Sequence, residues 1–557
     1  MNNDRHSYLP AAFISAILLI ALVSAQPSSP NRPHQFAANR AIVGASLDFA
    51  SGPAPAVKFG HAAIYGAGGL YATSLAVADL NGDAKPDLVV ANSCQSSIDG
   101  QTACIAGGVI GVLLNTGDGS MQPPVTYNAG GVAASSVAIA DLNGDGHPDL
   151  VVANQCVSSA DCSNGVVGVL IGNGDGTFQP VVTYTAGNGA QSVAIADLNG
   201  DGVPDLVMAN ECMSGGTCPV GGVSVLLGNG NGTFHGPITY NSGGQNTDSV
   251  VIKDVNGDGF PDVIVANQCM NKSSCNSGGV SVLLGRGDGT LGTASLYNSG
   301  GYRALSVAVA DLNGDGRPDI VVTSLCSQGN NCVDGVVGVL LGNSNGTFKP
   351  PVTYSSSGYG ASSLAIADVD GDGIPDLVVD NICKTSAGCT KGGINVLLGN
   401  GNGSFQSPLT YSSDGNDASS VALADLNGDS KPDIVTANYC STKSDCAGTV
   451  VVLSNGSLIK TATSLSSSLN PSSVNQQVIL TATMVASPSI PNGEVVTFYN
   501  GKTVLGTGTI TNNAATLTVS FAKAASYTVK ATYAGDTFHK KSSGSMTQVV
   551  NEATGPR

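Results

Sequence analysis

The sequence predicts an all-β chain: a seven-bladed β-propeller of four-stranded blades followed by a smaller β-sandwich. Two periodicities and one compositional bias carry that prediction. A nine-residue acidic segment, D-x-[ND]-G-D-x-x-P-D, begins at Asp79, Asp141, Asp197, Asp254, Asp311, Asp368 and Asp425, at intervals of 62, 56, 57, 57, 57 and 57 residues. All 14 cysteines keep the same beat, one pair downstream of each acidic segment. The 557 residues include 74 Gly and no Trp, and short Val/Ile/Thr/Tyr runs alternate with Gly, Asn, Asp and Ser. That is the composition of many short strands and tight turns. Self-similarity at this period marks a solenoid, propeller or array.

The chain opens with a secretory pattern. Ala11 to Val23 is a 13-residue apolar run, and Val23-Ser24-Ala25 is a small-residue cleavage site before Gln26. The run is too short for a membrane span. Residues 1–25 are therefore expected to be a signal peptide and 26–45 a linker, so that the mature chain is secreted, at the cell surface or periplasmic. The cysteine pairs fit export: Cys94/Cys104, Cys156/Cys162, Cys212/Cys218, Cys269/Cys275, Cys326/Cys332, Cys383/Cys389 and Cys440/Cys446. An even count in an oxidising compartment reads as disulfides. The rival, a thiolate metal site, needs shorter spacings and four ligands.

The propeller is expected over residues 46–457. In one repeat, Ser192–Ala196, Leu206–Ala209, Val223–Leu227 and Phe234–Tyr240 read as four strands, with Pro237 placing the last at an edge. The final repeat lacks a fourth strand, and the stretch Val57–Tyr65 has no repeat of its own. The N-terminal strand is expected to complete the last blade. The acidic segments then lie on one face and the cysteine loops on the other.

Each acidic segment packs oxygen ligands at alternate positions. Position 1 is Asp79, Asp141, Asp197, Asp254, Asp311, Asp368 and Asp425. Position 3 is Asn81, Asn143, Asn199, Asn256, Asn313, Asp370 and Asn427. Position 5 is Asp83, Asp145, Asp201, Asp258, Asp315, Asp372 and Asp429. Position 9 is Asp87, Asp149, Asp205, Asp262, Asp319, Asp376 and Asp433. Position 7 offers only a carbonyl, and its side chain varies: Lys85, His147, Val203, Phe260, Arg317, Ile374 and Lys431. Calcium takes six to eight hard oxygens, so this pattern predicts up to seven calcium ions. The bland alternative is an Asx turn held by its own hydrogen bonds. Ala84 and Ser430 replace the Gly of position 6 and predict weaker sites, whereas Asp370 adds a carboxylate. The net charge of −17 sits largely in these loops. With no basic stripe, it argues against a nucleic-acid partner.

The runs ADLNGDGxPDLVVAN and VLLGNGxGTF resemble FG-GAP/VCBS repeats, the family that also builds the integrin α-chain propeller. The resemblance implies a calcium-binding propeller whose ligands bind on the face opposite the ion loops, here the cysteine face. Paired cysteines in every repeat depart from the family pattern and suggest a stiff rim. Residues 460–552 change character. Through LNPSSVNQQVILTATM, VVTFYNGKTVLGT and TVKATYAGD they resemble a bacterial Ig-like repeat domain, with strands expected at Val478–Ala482, Glu494–Tyr499, Thr503–Thr507, Ala515–Phe521 and Tyr527–Tyr533. An Ig-like β-sandwich fits that length, and 553–557 form a tail.

Catalytic sets are absent from the sequence. It has six scattered His, and no H-E-x-x-H or phosphate loop. The expected function is an extracellular binding or adhesion module for glycan or protein, without catalysis and with no transmembrane segment in the mature chain. The alternatives are a carbohydrate-active enzyme or its polysaccharide-binding part, and a structural cell-envelope protein. Tyr71, Tyr302, Arg303 and Tyr359, placed in interblade loops, are the candidate ligand contacts, with simple coverage of the channel mouth as the bland alternative.

Overall fold

The computed structural model describes residues 59–95, 107–213, 220–271, 275–327, 334–385, 389, 391–442, 445–456, 460–486, 490, 492–536 and 539–552. The expected signal peptide, linker and tail, together with Val57, Lys58, Cys104, Cys218 and Cys332, lie outside the described residues.

The described chain is all-β, and residues 59–456 form a propeller-like array of antiparallel sheets. The fourth repeat shows the plan: Gln245–Lys253, Asp262–Cys269, Gly279–Leu283 and Ser295–Asn298 pair in chain order. The second and third strands are buried along their length, as in Asp262–Cys269 (DVIVANQC), where Val263, Ile264, Val265 and Ala266 are apolar and Asp262, Asn267 and Gln268 are buried polar residues. The outer strand is half exposed and reads V-T-Y or similar. It is shorter than the sequence suggested. Pro237 lies outside the strand Ile238–Asn241, and Phe234 instead makes an isolated bridge to Gly228. Pro has no N–H for the ladder, so pairing starts after it.

Two strands serve two repeats each. Val182–Ala196 is the outer strand of the second repeat and the inner strand of the third. Phe59–Ala78 does the same between the last repeat and the first. Its first half pairs with Ala447–Asn455, and its second half pairs with Asp87–Cys94.

Repeated contacts join each unit to the next. An inner-strand N–H donates to the serine Oγ of the preceding repeat: Val137 to Ser74 at 3.3 Å, Val193 to Ser136 at 3.1 Å, Val307 to Ser249 at 3.2 Å and Val421 to Ser363 at 3.2 Å. Leu75 N–H makes the same bond to Ser420 at 3.2 Å, linking last repeat to first. Outer-strand tyrosines meet the aromatic of the next repeat's turn edge-to-face. Tyr127 meets Phe178 at 5.4 Å and Tyr354 meets Phe405 at 5.6 Å. Tyr411 meets Phe59 at 5.2 Å, so the N-terminal strand fills the aromatic position of the last repeat. Edge-to-face pairs of this kind contribute about 0.5–1.5 kcal/mol beyond their burial.

The C-terminal region forms two sheets, with Ala462–Ser467, Gln477–Val485 and Ala514–Ser520 in one. The other holds Ser472–Ser473, Val495–Asn500, Thr503–Thr509, Ala525–Tyr533 and Ser542–Asn551. Val478, Leu480, Phe498, Ala531 and Tyr533 fill the core between them. The first and last long strands were not expected, because Ser and Thr alternate there with few apolar residues.

Candidate functional site

The two ends of each sheet carry different chemistry. Strand register places the acidic segment at one end and the cysteine at the other: in the fifth repeat Ala310 pairs with Asp319, and Tyr302 pairs with Cys326.

At the acidic end each segment folds around its own carboxylates. In the second copy Asp141 Oδ1 accepts from Gly144 N–H at 2.7 Å and Oδ2 from Gly146 N–H at 2.8 Å. Asn143 Oδ1 accepts from Asp145 N–H at 2.9 Å, and Asp145 Oδ1 from His147 N–H at 2.8 Å. Gly144 and Gly146 have φ of 75° and 85°, which explains the Gly preference. Ala84 and Ser430 take the same left-handed conformation, at φ of 63° and 66°, and carry its steric cost.

The position-9 aspartate is fully buried and tied on both oxygens. Asp149 Oδ2 accepts from Leu142 N–H at 2.8 Å, and Oδ1 accepts from Gly172 N–H at 2.7 Å. It thereby pins the acidic loop to the turn after the third strand. Burial pushes Asp149 up to about 6 and Asp376 to about 7, against those N–H bonds, with the carboxylates of positions 1 and 5 (or 3) adding to the rise. Carboxylates of Asp368, Asp370 and Asp376 come within 4.8 Å of one another. A cation would offset the repulsion among carboxylates this close. Hard oxygens at positions 1, 3, 5 and 9 suit a divalent ion of the calcium type. Position 7 tunes this charge: Lys85 Nζ lies 2.9 Å from Asp83 and an Arg317 nitrogen 3.4 Å from Asp315, so these loops neutralise part of themselves.

At the other end disulfides join Cys156 to Cys162, Cys269 to Cys275, Cys383 to Cys389 and Cys440 to Cys446. Cys94, Cys212 and Cys326 are also disulfide-bonded.

The four candidate contacts lie at this end, but in strands rather than loops. Tyr71 and Arg303 adopt φ of 59° and 55°, as do Ala133, Asn246 and Asp417 (φ 50–58°) at the same place in their repeats. A bulge two residues later recurs in every inner strand. Tyr71 is only 8% exposed and packs on Tyr439, with ring centroids 4.8 Å apart. Tyr359 packs beside them with Leu325 and Ile382. The Arg303 guanidinium lies 5.4 Å from the centre of the Tyr302 ring.

Sequence reading missed the residues between these four. Those just before the first cysteine are Ser93, Gln155, Glu211, Gln268, Leu325, Ile382 and Tyr439. They run from polar in the early repeats to apolar in the late ones. Column-by-column comparison of the repeats would have exposed this.

Comparison with known proteins agrees with the repeat structure. The model of the FG-GAP-like repeat matches residues 99–152, 156–208, 212–265, 254–322, 326–379 and 386–436, and the FG-GAP repeat matches 71–93. These matches span more than half of the sequence. The chain belongs to the FG-GAP repeat family. A bacterial Ig-like domain (group 3) matches residues 465–551. This FG-GAP chain is 34% identical to human phosphatidylinositol-glycan-specific phospholipase D over 164 residues, 26% of this chain and 19% of that protein. It is 33% identical to human integrin alpha-7 over 151 residues (25% and 12%) and to mouse integrin alpha-IIb over 148 (24% and 14%). It thus spans under a fifth of each relative's length. Among solved structures, BBS1N in complex with ARL6DN aligns at TM-score 0.40 and 13% identity, covering 71% of this chain and 96% of that one. The extracellular domain of BT4673 from B. thetaiotaomicron aligns at 0.38 and 9%, covering 90% and 58%.

Proposed function

We propose that this chain is a secreted, calcium-binding, seven-bladed propeller joined to an Ig-like sandwich. It acts as a non-catalytic extracellular binding module for glycan or protein. The calcium reading is carried by one observation: Asp recurs at positions 1, 5 and 9 of all seven loops, and in the sixth, where Asp370 adds a further acid, Asp368, Asp370 and Asp376 lie within 4.8 Å of one another. Under this reading positions 1, 3, 5 and 9 and the position-7 carbonyl hold each ion, which neutralises the loop and stiffens its tie to the neighbouring turn. The seven-bladed reading is supported by bonds between the last repeat and the first that match those between successive repeats. The domain limits proposed are 46–457 and 460–552. Export is supported by the disulfides, and no helix among the described residues is long and apolar enough to cross a membrane.

The binding reading is supported by the family, whose integrin members are adhesion receptors, and by the contrast between a uniform acidic end and a varied cysteine end. It is tested by presenting residues 26–557 to an array of glycans and extracellular proteins, with calcium and with EDTA. Calcium-dependent retention without chemical change of the retained molecule is expected. Turnover of an arrayed glycan would contradict it.

A further inference from the structure

Each acidic loop is tied to the turn of the following repeat as well as to its own. The carbonyl of position 2 accepts from a turn N–H one repeat on: Leu80 from Gly176 at 3.1 Å, Leu142 from Gly232 at 3.2 Å, Leu198 from Gly289 at 3.3 Å and Leu312 from Gly403 at 3.2 Å. The N–H of the same residue donates to its own position-9 carboxylate, as Leu142 does to Asp149. The other oxygen of that carboxylate holds the repeat's own turn. Loop, following turn and following loop therefore form one hydrogen-bonded relay.

At the two junctions around the last repeat a side chain makes the bond. Asn115 Nδ2 donates to the Leu426 carbonyl at 2.9 Å, and Asn455 Nδ2 to the Val369 carbonyl at 2.7 Å. Both asparagines are buried, and their main-chain N–H groups still hold Asp87 and Asp433, each at 2.7 Å. The other five repeats have Gly at this position, where an added Cβ would lie only 2.1–2.4 Å from the proline carbonyl oxygen of the acidic loop. A side chain is thus excluded in five repeats and admitted in the two where the ends of the array meet. Among the described residues the relay stops only between the fourth and fifth repeats. There no turn N–H bonds to the Val255 carbonyl, and Gly346 packs on Asn256 instead.

We infer that the acidic loops load calcium cooperatively, each passing the effect to its neighbour through the position-2 residue and the following turn. This rests on the calcium reading. A loop ordered around its ion fixes the residue to which the neighbour's turn is bonded, so the neighbouring loop has less left to order. Such coupling is reciprocal and typically amounts to about five-fold or more in affinity. The array then passes from empty to loaded over a narrower range of cation concentration than independent loops would.

The test follows hydrogen exchange of residues 26–557, loop by loop, across a calcium titration. Asp429→Asn removes a carboxylate from the seventh loop. It should raise the calcium needed for half-protection of the first and sixth loops by about five-fold and leave the fourth unchanged. In an Asn115→Gly background, measured against Asn115→Gly alone, the first loop should lose that shift while the sixth keeps it. In an Asn455→Gly background the reverse is expected. Glycine stands at both positions in five repeats, so these variants should fold, and either one serves if the other does not. First and sixth loops that ignore Asp429→Asn overturn the coupling and leave the calcium reading standing. A shift that survives its asparagine substitution, or one equal at every loop, overturns the relay. No calcium protection at any loop overturns the calcium reading and the coupling with it.

Discussion

The two ends of the same sheets have been treated in opposite ways. At the acidic end the repeats are near copies: Asp at positions 1, 5 and 9 is invariant across all seven. At the cysteine end six of the seven cysteine pairs keep one spacing while the residues just before the first cysteine change from Gln and Glu to Leu, Ile and Tyr. Uniform repetition serves a task every unit shares, here holding a loop and clamping the neighbouring turn. Variation on a stiff frame allows one surface to be specific.

The largest expected effect breaks the acidic end as a whole. With calcium ten-fold above Kd, each site stabilises the fold by roughly 1.4 kcal/mol, and seven together by on the order of 10 kcal/mol. EDTA should therefore lower the melting temperature sharply, whereas an unchanged melt would leave the loops as simple turns.

Next comes a single clamp. Asp149→Ala leaves the N–H groups of Leu142 and Gly172 unmet in a buried place. A loss of roughly 2–5 kcal/mol is expected by denaturant titration. A loss below 1 kcal/mol would show that the clamp matters little.

A buried acid away from both ends sharpens the contrast by pH. Asp380 stands where five other repeats carry Ala and one carries Thr, and the Thr436 hydroxyl donates to it. Burial lifts its carboxyl from 3.8 to about 8. The folded-state value is raised, so its favourable contribution is full below pH 3.8 and is lost as pH rises through about 8. Asp380→Asn should be more stable than the parent at pH 8 and nearly equal to it at pH 4. Equal stability at both would refute the burial account.

The smallest effect concerns one loop. Lys85→Val removes the cation 2.9 Å from Asp83. It should tighten calcium at the first loop by a few-fold, as read by competition with a fluorescent chelator; weaker binding would mean that Lys85 supports the site.

Much of this was legible in the sequence because the repeat reports itself seven times. Strand order, the opposed ends and the pairing of residues before Tyr65 with the last repeat follow from spacing and alternation. Less legible was anything set by one repeat against its neighbour. The left-handed φ of Tyr71 and Arg303 has no residue signature, since neither is Gly. The serine-to-N–H ring depends on how units pack, and a serine in a Val/Ala run reads only as a weak strand residue. The strand Ser542–Asn551 was missed because its inward positions are only partly apolar.

The most direct test is the calcium stoichiometry of the chelator-stripped chain by equilibrium dialysis. The account predicts close to seven ions per chain, with the first and last loops filling at the highest calcium concentration. Binding of one ion or none by a folded chain would contradict it.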